Sequence, residues 1–322
     1  MNSNHFYTRE LPVIDLNLFL NDKSYNIDPL AKQLQNICEN LGFLCITNHG
    51  ISNDLIQRMY RVTEDFHSLS DEEKLCVRVT KHLRGYIPSR RIDKNYSKPD
   101  TVECFIAATD YPTNHPNLIL GKQFYSRNIW PKNSPEFKTV VETYIQSIQN
   151  LGLKLLPLWA KSLNLPINYF EPYFKEPYSH IRIAKYPRKN SNTIQESGLG
   201  AHADTGFMTF LPIPDEQGLQ IMDEHGQWFY PKIPENAIVV NIGQFLSRWT
   251  NGRFRATPHR VLPPENNARY SFACFINPSL DVKVECISNG MPAIYPKQSY
   301  GEFFEYYIKN HPLVEKKCNK YS

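Results

Sequence analysis

Apolar residues recur along this chain with two different periods, and the change from one to the other near residue 180 marks its organisation. Leu30, Leu34, Ile37 and Leu41 fall three or four apart, on one face of a helix beginning near Asp28, with Gly42 as its stop. Leu11-Pro-Val-Ile-Asp15 and Phe43 to Thr47 are short apolar runs of strand type, the second ending in the turn Asn48-His-Gly50. Ser52 or Asn53 caps a helix carrying Leu55, Ile56, Met59 and Phe66. Ser70-Asp-Glu-Glu73 has the capping-box pattern and opens a shorter helix. Ser134-Pro-Glu136 starts the longest one, whose stripe of Val140, Tyr144, Ile148, Leu151, Leu155 and Leu158 runs to about Leu163. Pro157 is expected to kink or divide it, because proline removes one helical hydrogen bond and crowds the preceding turn. A short helix is expected from Ile167 to Phe174. Residues 81 to 133 keep neither period and read as a long loop of the kind that serves as a lid or binding loop.

From His180 the period is two. Runs at 180–187, 202–211, 219–222, 227–230, 237–242, 257–262, 269–276 and 281–285 predict eight short strands, with Asp223-Glu-His-Gly226 as a hairpin turn. So many short strands at close spacing imply an antiparallel double-sheet barrel or jelly roll. A helix from about Ser299 to Asn310 follows. The predicted fold is mainly β with flanking helices: a double-stranded β-helix (jelly-roll) core with an α/β N-terminal region. The expected division is residues 1–130, not folding independently, and residues 131–322, the support helix plus the core.

Composition narrows this picture. Hydrophobic residues make up 41% of 322, enough for a large core. The net charge of +4 is small and dispersed, which argues against nucleic acid or a membrane surface as partner. No apolar stretch approaches a membrane span, and the first ten residues lack the apolar core of a secretory signal. Seven cysteines without a Cys-x-x-Cys pair read as reduced thiols of a cytoplasmic protein. A monomer or weak homodimer is expected.

The candidate chemistry sits in Gly200-Ala-His-Ala-Asp-Thr-Gly206. On an extended strand, residues two apart share a face, so His202 and Asp204 would present an imidazole and a carboxylate together. His259, in the strand-like run Ala256 to Val261, is the best third ligand, although a barrel-wall histidine satisfied by backbone is the plainer reading. Two histidines and a carboxylate on one face of a metal leave the opposite positions open, the arrangement of non-haem Fe(II) oxygenases. Arg269 and Ser271 share a face of the next strand. A guanidinium buried in a barrel calls for an anion, either a small-molecule carboxylate or a protein one. Arg84 and Tyr86, in Arg84-Gly-Tyr-Ile-Pro88, are candidate substrate contacts, and Arg84, Arg90 and Arg91 would suit an acidic substrate. His49 reads as a turn residue and not a ligand.

Several stretches together resemble the iron- and 2-oxoglutarate-dependent dioxygenases of the isopenicillin N synthase type. They are His202-Ala-Asp-Thr-Gly206, Trp249-Thr-Asn-Gly-Arg-Phe254, His259-Arg-Val261, and Arg269-Tyr-Ser271 with Phe275-Ile-Asn-Pro278. Gly42-Phe43, Asn48-His-Gly50 and Ser70 to Lys74 resemble that family's N-terminal region, so the likeness covers nearly the whole chain. It implies Fe(II) on His202, Asp204 and His259. It implies 2-oxoglutarate with its distal carboxylate on Arg269 and Ser271, Tyr186 close by, O2 as oxidant and ascorbate as supporting reductant. Phe275, and with it Phe207, match substrate contacts. The implied reaction oxidises a small organic molecule, by hydroxylation, desaturation or cyclisation, with release of succinate and CO2. Ala184 stands where many members have Asn, and Gln244 where Asp is common. Halogenating relatives lack the carboxylate that Asp204 provides, so oxygenation is implied. Two alternatives remain at this stage: an iron-dependent oxidase of the same fold that does not use 2-oxoglutarate, and a non-catalytic jelly-roll module around a structural metal. The second would want four protein ligands, and three are visible.

Overall fold

The structure, a computed structural model, describes residues 7–89, 101–189, 198–213, 216–288 and 290–310. Among these, two sheets form the core. The smaller runs Thr8–Glu10, Trp228–Lys232, Leu219–Met222, His259–Val261, Leu199–His202. The larger runs Val13–Asp15, Phe43–Thr47, Ile238–Ile242, Met208–Pro212, Arg269–Asn277, Tyr178–Tyr186, Glu103–Ala108, Gly85–Ile87. Four strands of each sheet come from residues 178–277 and make the jelly roll. The strands before residue 110 extend both sheets at their edges.

The strand stretch predicted from His202 to Leu211 is two strands, Leu199–His202 and Met208–Pro212, lying in different sheets. The predicted strand at 281–285 is only Lys283–Val284, paired with Gln298–Ser299 in a separate two-stranded sheet. Residues 81–133 are not one loop. They contain the strands Gly85–Ile87 and Glu103–Ala108 and the short helix Pro116–Ile119; residues 90–100, including Arg90 and Arg91, lie outside the described residues.

The helices explain which face of the large sheet carries chemistry. Pro135–Ser162 is one 28-residue helix, so Pro157 does not divide it. Leu155, Leu156, Leu158 and Trp159 are buried on either side of the proline, and that packing outweighs one missing hydrogen bond. This helix packs on helices Asp28–Asn40 and Asn53–Ser68 and on the strands Arg269–Asn277 and Tyr178–Tyr186. Ile181, Ile183, Phe272, Cys274 and Ile276 point outward into that helical layer, where the Phe272 ring meets Tyr60 at 4.6 Å and Tyr144 at 5.2 Å. The alternate positions are thereby turned inward between the sheets. The Ile167–Phe174 helix is a single short turn, Glu171–Tyr173, and a further helix, Gln244–Trp249, has no periodic signal to announce it. His49 is the turn residue expected, its Nδ1 accepting from the Ile51 N–H.

A buried ionic cluster fixes the edge strand that walls the site. Glu103 pairs with Lys74 at 3.1 Å and Lys185 at 3.4 Å, lies 3.6 Å from His67, and accepts from the Tyr86 hydroxyl. Burial alone would raise its pKa, but His67, Tyr86 and Lys74 outweigh it and hold the carboxyl well below the usual range. Glu103→Gln is expected to destabilise the fold by about 3 kcal/mol or less, since it leaves the buried Lys74 with only the exposed Asp71 as anionic partner. The folded value lies below the unfolded one, so the contribution is complete at neutral pH. It fades as pH falls below about 4.3 and is gone once the folded carboxylate is protonated. Denaturant unfolding at pH 7 and at pH 4 should therefore show a smaller acid-side loss for Glu103→Gln than for wild type.

Candidate active site

Asp204 lies past the end of the strand Leu199–His202, in a connection and not on the strand. The connection is locked from two sides. Asn277 Oδ1 accepts from the Phe207 N–H at 2.9 Å, and the Gln244 N–H donates to the Asp204 carbonyl at 2.7 Å. The Gln244 side chain donates to the Ala203 carbonyl at 2.9 Å. A Cβ on Gly206 would stand 2.4 Å from Asn277 Oδ1, and one on Gly243 would stand 2.1 Å from the Gly206 carbonyl oxygen, so both close approaches require glycine.

His259 is brought in by register. It pairs directly with His202 across neighbouring antiparallel strands. The ligand atoms of His202, Asp204 and His259 all lie within 4.8 Å of one another, with Asp204 Oδ1 3.8 Å from His202 Nε2 and 3.6 Å from His259 Nε2. Nδ1 of His202 is 2.8 Å from the Gly200 carbonyl and Nδ1 of His259 is 3.3 Å from that of Thr257. These carbonyls favour the ring proton on Nδ1 and leave each Nε2 free on the side of Asp204. Asp204 Oδ2 accepts from Thr209 Oγ1 at 2.6 Å and from Asn241 Nδ2 at 2.7 Å, and only Oδ1 faces the imidazoles. Burial, with His259 close by, lowers the His202 pKa to about 4, so its ring is neutral at physiological pH. Burial opposes ionisation of Asp204, but the two imidazoles and the Asn241 and Thr209 hydrogen bonds prevail and hold its carboxyl below the usual value. One nitrogen from each imidazole and one oriented carboxylate oxygen suit a divalent metal with its other positions open to the cavity.

That cavity, about 610 Å³, lies between the sheets and is otherwise mainly apolar. Arg269, Ser271, Ala273 and Phe275 line it from one strand, and His180, Arg182 and Tyr186 from the next. Arg269 is 2% exposed, its guanidinium 5.3 Å from the centre of the Tyr186 ring. Among the described residues no carboxylate is within ion-pair distance of it, and Nη1 is buried without a hydrogen-bond partner. A buried guanidinium left in this state is costly unless a bound anion completes it. The plainer alternative, pairing with a protein carboxylate, is absent among the described residues.

Phe275 lines the cavity, stacked on His180 at 4.4 Å between ring centres. The other three substrate candidates are placed elsewhere. Phe207 is fully buried in an aromatic cluster with Phe170, Phe174, Trp159 and Trp249, because the residue after Gly206 turns into the core. Tyr86 faces the opposite side of the sheet, against Glu103. Arg84 is wholly buried, donating to the carbonyls of His82 and Phe124 and to the Tyr178 hydroxyl, so its guanidinium ties loops together. The reading from sequence missed His180 and Arg182, which share the alternation of Tyr186, and Thr209 and Asn241, whose role needs the cross-strand pairing Asn241↔Thr209. Phe304, Tyr307 and Ile308 of the helix Tyr300–Asn310 also close the cavity.

Known proteins resemble this chain along most of its length. Residues 11–133 match the N-terminal region described as non-haem dioxygenase in morphine synthesis, and residues 177–278 match the 2OG-Fe(II) oxygenase superfamily. A 2-oxoglutarate-dependent dioxygenase of Monascus ruber is 32% identical over 291 residues, covering 85% of this chain and 86% of that one. A 2OG-Fe(II) oxygenase family protein from Caulobacter crescentus superposes with a TM-score of 0.81 at 26% identity, over 93% of this chain and 98% of that one. A full-length Neurospora crassa protein in complex with alpha-KG and 5-formyluracil superposes at 0.78 and 25% identity, over 94% and 96%.

Proposed function

This chain belongs to the 2OG-Fe(II) oxygenase superfamily, and from that premise we propose how its residues divide the work. It is a non-haem Fe(II)- and 2-oxoglutarate-dependent dioxygenase that oxidises small molecules. In our reading, His202, Asp204 and His259 hold the iron, and Arg269 with Ser271 takes the distal carboxylate of 2-oxoglutarate beside Tyr186. The observation that carries this is the guanidinium of Arg269, buried without an anionic partner in the cavity that the His-Asp-His cluster faces.

When bound, the iron with 2-oxoglutarate and O2 supplies the oxidising power, decarboxylation to succinate and CO2 being coupled to oxidation of the substrate. The protein's part is placement. The Gly200 and Thr257 carbonyls fix the imidazole tautomers, while Thr209 and Asn241 leave Asp204 a single free oxygen. Apolar walls around them keep bulk water from the reacting centre. Phe275 and His180 offer a flat surface for the substrate, and Phe304, Tyr307 and Ile308 limit its size. The six described cysteines are free thiols, which suits a reducing compartment such as the cytosol. No helix among the described residues is long and apolar enough to cross a membrane.

With Fe(II), ascorbate and 2-oxoglutarate but no added substrate, the protein is expected to release succinate slowly. Stripping the metal with a chelator should stop this, and added Fe(II) should restore it. Succinate release that persists undiminished in the metal-free protein would contradict the reading.

A further inference from the structure

The charges of the cavity do not balance once iron and 2-oxoglutarate are counted. The two positive charges of Fe(II) match the two carboxylates of 2-oxoglutarate, and Asp204 matches Arg269. Of the remaining lining residues, Lys81 is exposed and screened by solvent, whereas Arg182 is partly buried inside the cavity. Its neighbours are the Tyr186 hydroxyl, which accepts from Nη1 at 3.4 Å, and the Cys104 thiol. Among the described residues no carboxylate is within ion-pair distance of it. Arg182 lies across from Ala273 and Ile106, and all three line the cavity. Tyr186 stands between the two arginines, its ring against Arg269 and its hydroxyl against Arg182. One diacid anchored at Arg269 and reaching the metal therefore leaves Arg182 without an anion.

Resting on the iron and 2-oxoglutarate assignment above, we propose that the substrate is a carboxylic acid whose carboxylate is held by Arg182. The planar guanidinium fork matches a carboxylate in two hydrogen bonds. The rest of the substrate lies on the ring of Phe275, stacked on His180, against Ile106, Leu199 and Phe304. Burial pushes the His180 imidazole down to about 3, so it faces the substrate as a neutral ring and Arg182 is the cation. Arg182 is thus a specificity-determining residue, distinct from the arginine that holds the cosubstrate.

The test uses the full chain loaded anaerobically with Fe(II) and saturating 2-oxoglutarate, so that Arg269 is occupied. Phenylacetate, 3-phenylpropanoate and octanoate are each titrated beside the corresponding neutral amide by calorimetry. At least one acid is expected to bind roughly 10- to 150-fold more tightly than its amide, the range for a hydrogen bond to a charged group. Arg182→Gln should erase that preference and leave the Kd for 2-oxoglutarate unchanged, and Arg182→Lys should restore part of it. The proposal is overturned if no acid outbinds its amide in wild type, or if the preference survives Arg182→Gln. It is also overturned if Arg182→Gln, and not Arg269→Gln, weakens 2-oxoglutarate. The parent assignment fails separately, when neither arginine affects 2-oxoglutarate binding.

Discussion

Arg269→Gln is expected to raise the KM for 2-oxoglutarate by roughly 30-fold to several thousand-fold, the range for removing one partner of a buried, hydrogen-bonded charge pair (about 2–5 kcal/mol). The guanidinium is 2% exposed and has no protein anion within reach among the described residues, so a bound carboxylate is the charge left to complete it. The iron ligands are untouched by this change, and Fe(II) affinity should remain within error of wild type. Ser271→Ala, which removes a neutral hydroxyl beside the same position, should cost about tenfold or less. Steady-state succinate formation at varied 2-oxoglutarate, together with an anaerobic Fe(II) titration, separates the two effects. A KM within twofold of wild type would remove Arg269 from the cosubstrate site.

Asp204→Ala should have the opposite signature. Of the three ligand side chains, Asp204 supplies the negative charge, and its free Oδ1 lies 3.8 Å and 3.6 Å from the two histidine Nε2 atoms. Without it, Fe(II) affinity is expected to fall by more than about 100-fold, the upper end of what loss of an outer partner costs at a metal site, and turnover should reach background. Asn241→Ala and Thr209→Val keep the ligand but loosen its orientation, and each should cost about 10- to 100-fold in Fe(II) affinity. Competition with a chromogenic chelator reads all three variants. Equal iron affinity in Asp204→Ala and wild type would break the assignment.

How much of this could be read before the fold was known follows from what each residue depends on. The inward face of Arg269–Asn277 is legible because alternation along one strand is local: Arg269 and Ser271 have to share a side, and they do, with Phe275, known only from the family likeness, beside them. The same rule applied to Tyr178–Tyr186 would have found His180 and Arg182 beside Tyr186. The acidic-substrate idea fell instead on Arg84, which satisfies loop carbonyls, and on Arg90 and Arg91, outside the described residues. His202 and Asp204 do meet, but not by sharing a strand face. Their placement depends on Asn277 and on the start of the helix Gln244–Trp249, contacts made by residues about forty and seventy positions away. No periodicity in the sequence carries that information. Phe207 and Tyr86 failed for the complementary reason: being aromatic and near the motifs says nothing about which face a bend turns to the core. The strands within residues 81–133 carry little pattern of their own: Glu103–Ala108 is held by pairing with Tyr178–Tyr186, Gly85–Ile87 by pairing with Glu103–Ala108, and both by the Glu103 cluster.

The central claim is that one cavity holds iron on the His-Asp-His cluster and 2-oxoglutarate on Arg269, leaving Arg182 for the substrate. A crystal structure of the anaerobic protein with Fe(II) and 2-oxoglutarate tests it most directly. The account predicts iron bonded to His202 Nε2, Asp204 Oδ1 and His259 Nε2, the distal carboxylate of 2-oxoglutarate on Arg269 and Ser271, and space in front of Arg182. Iron bound elsewhere, or that carboxylate seated on Arg182, would contradict it.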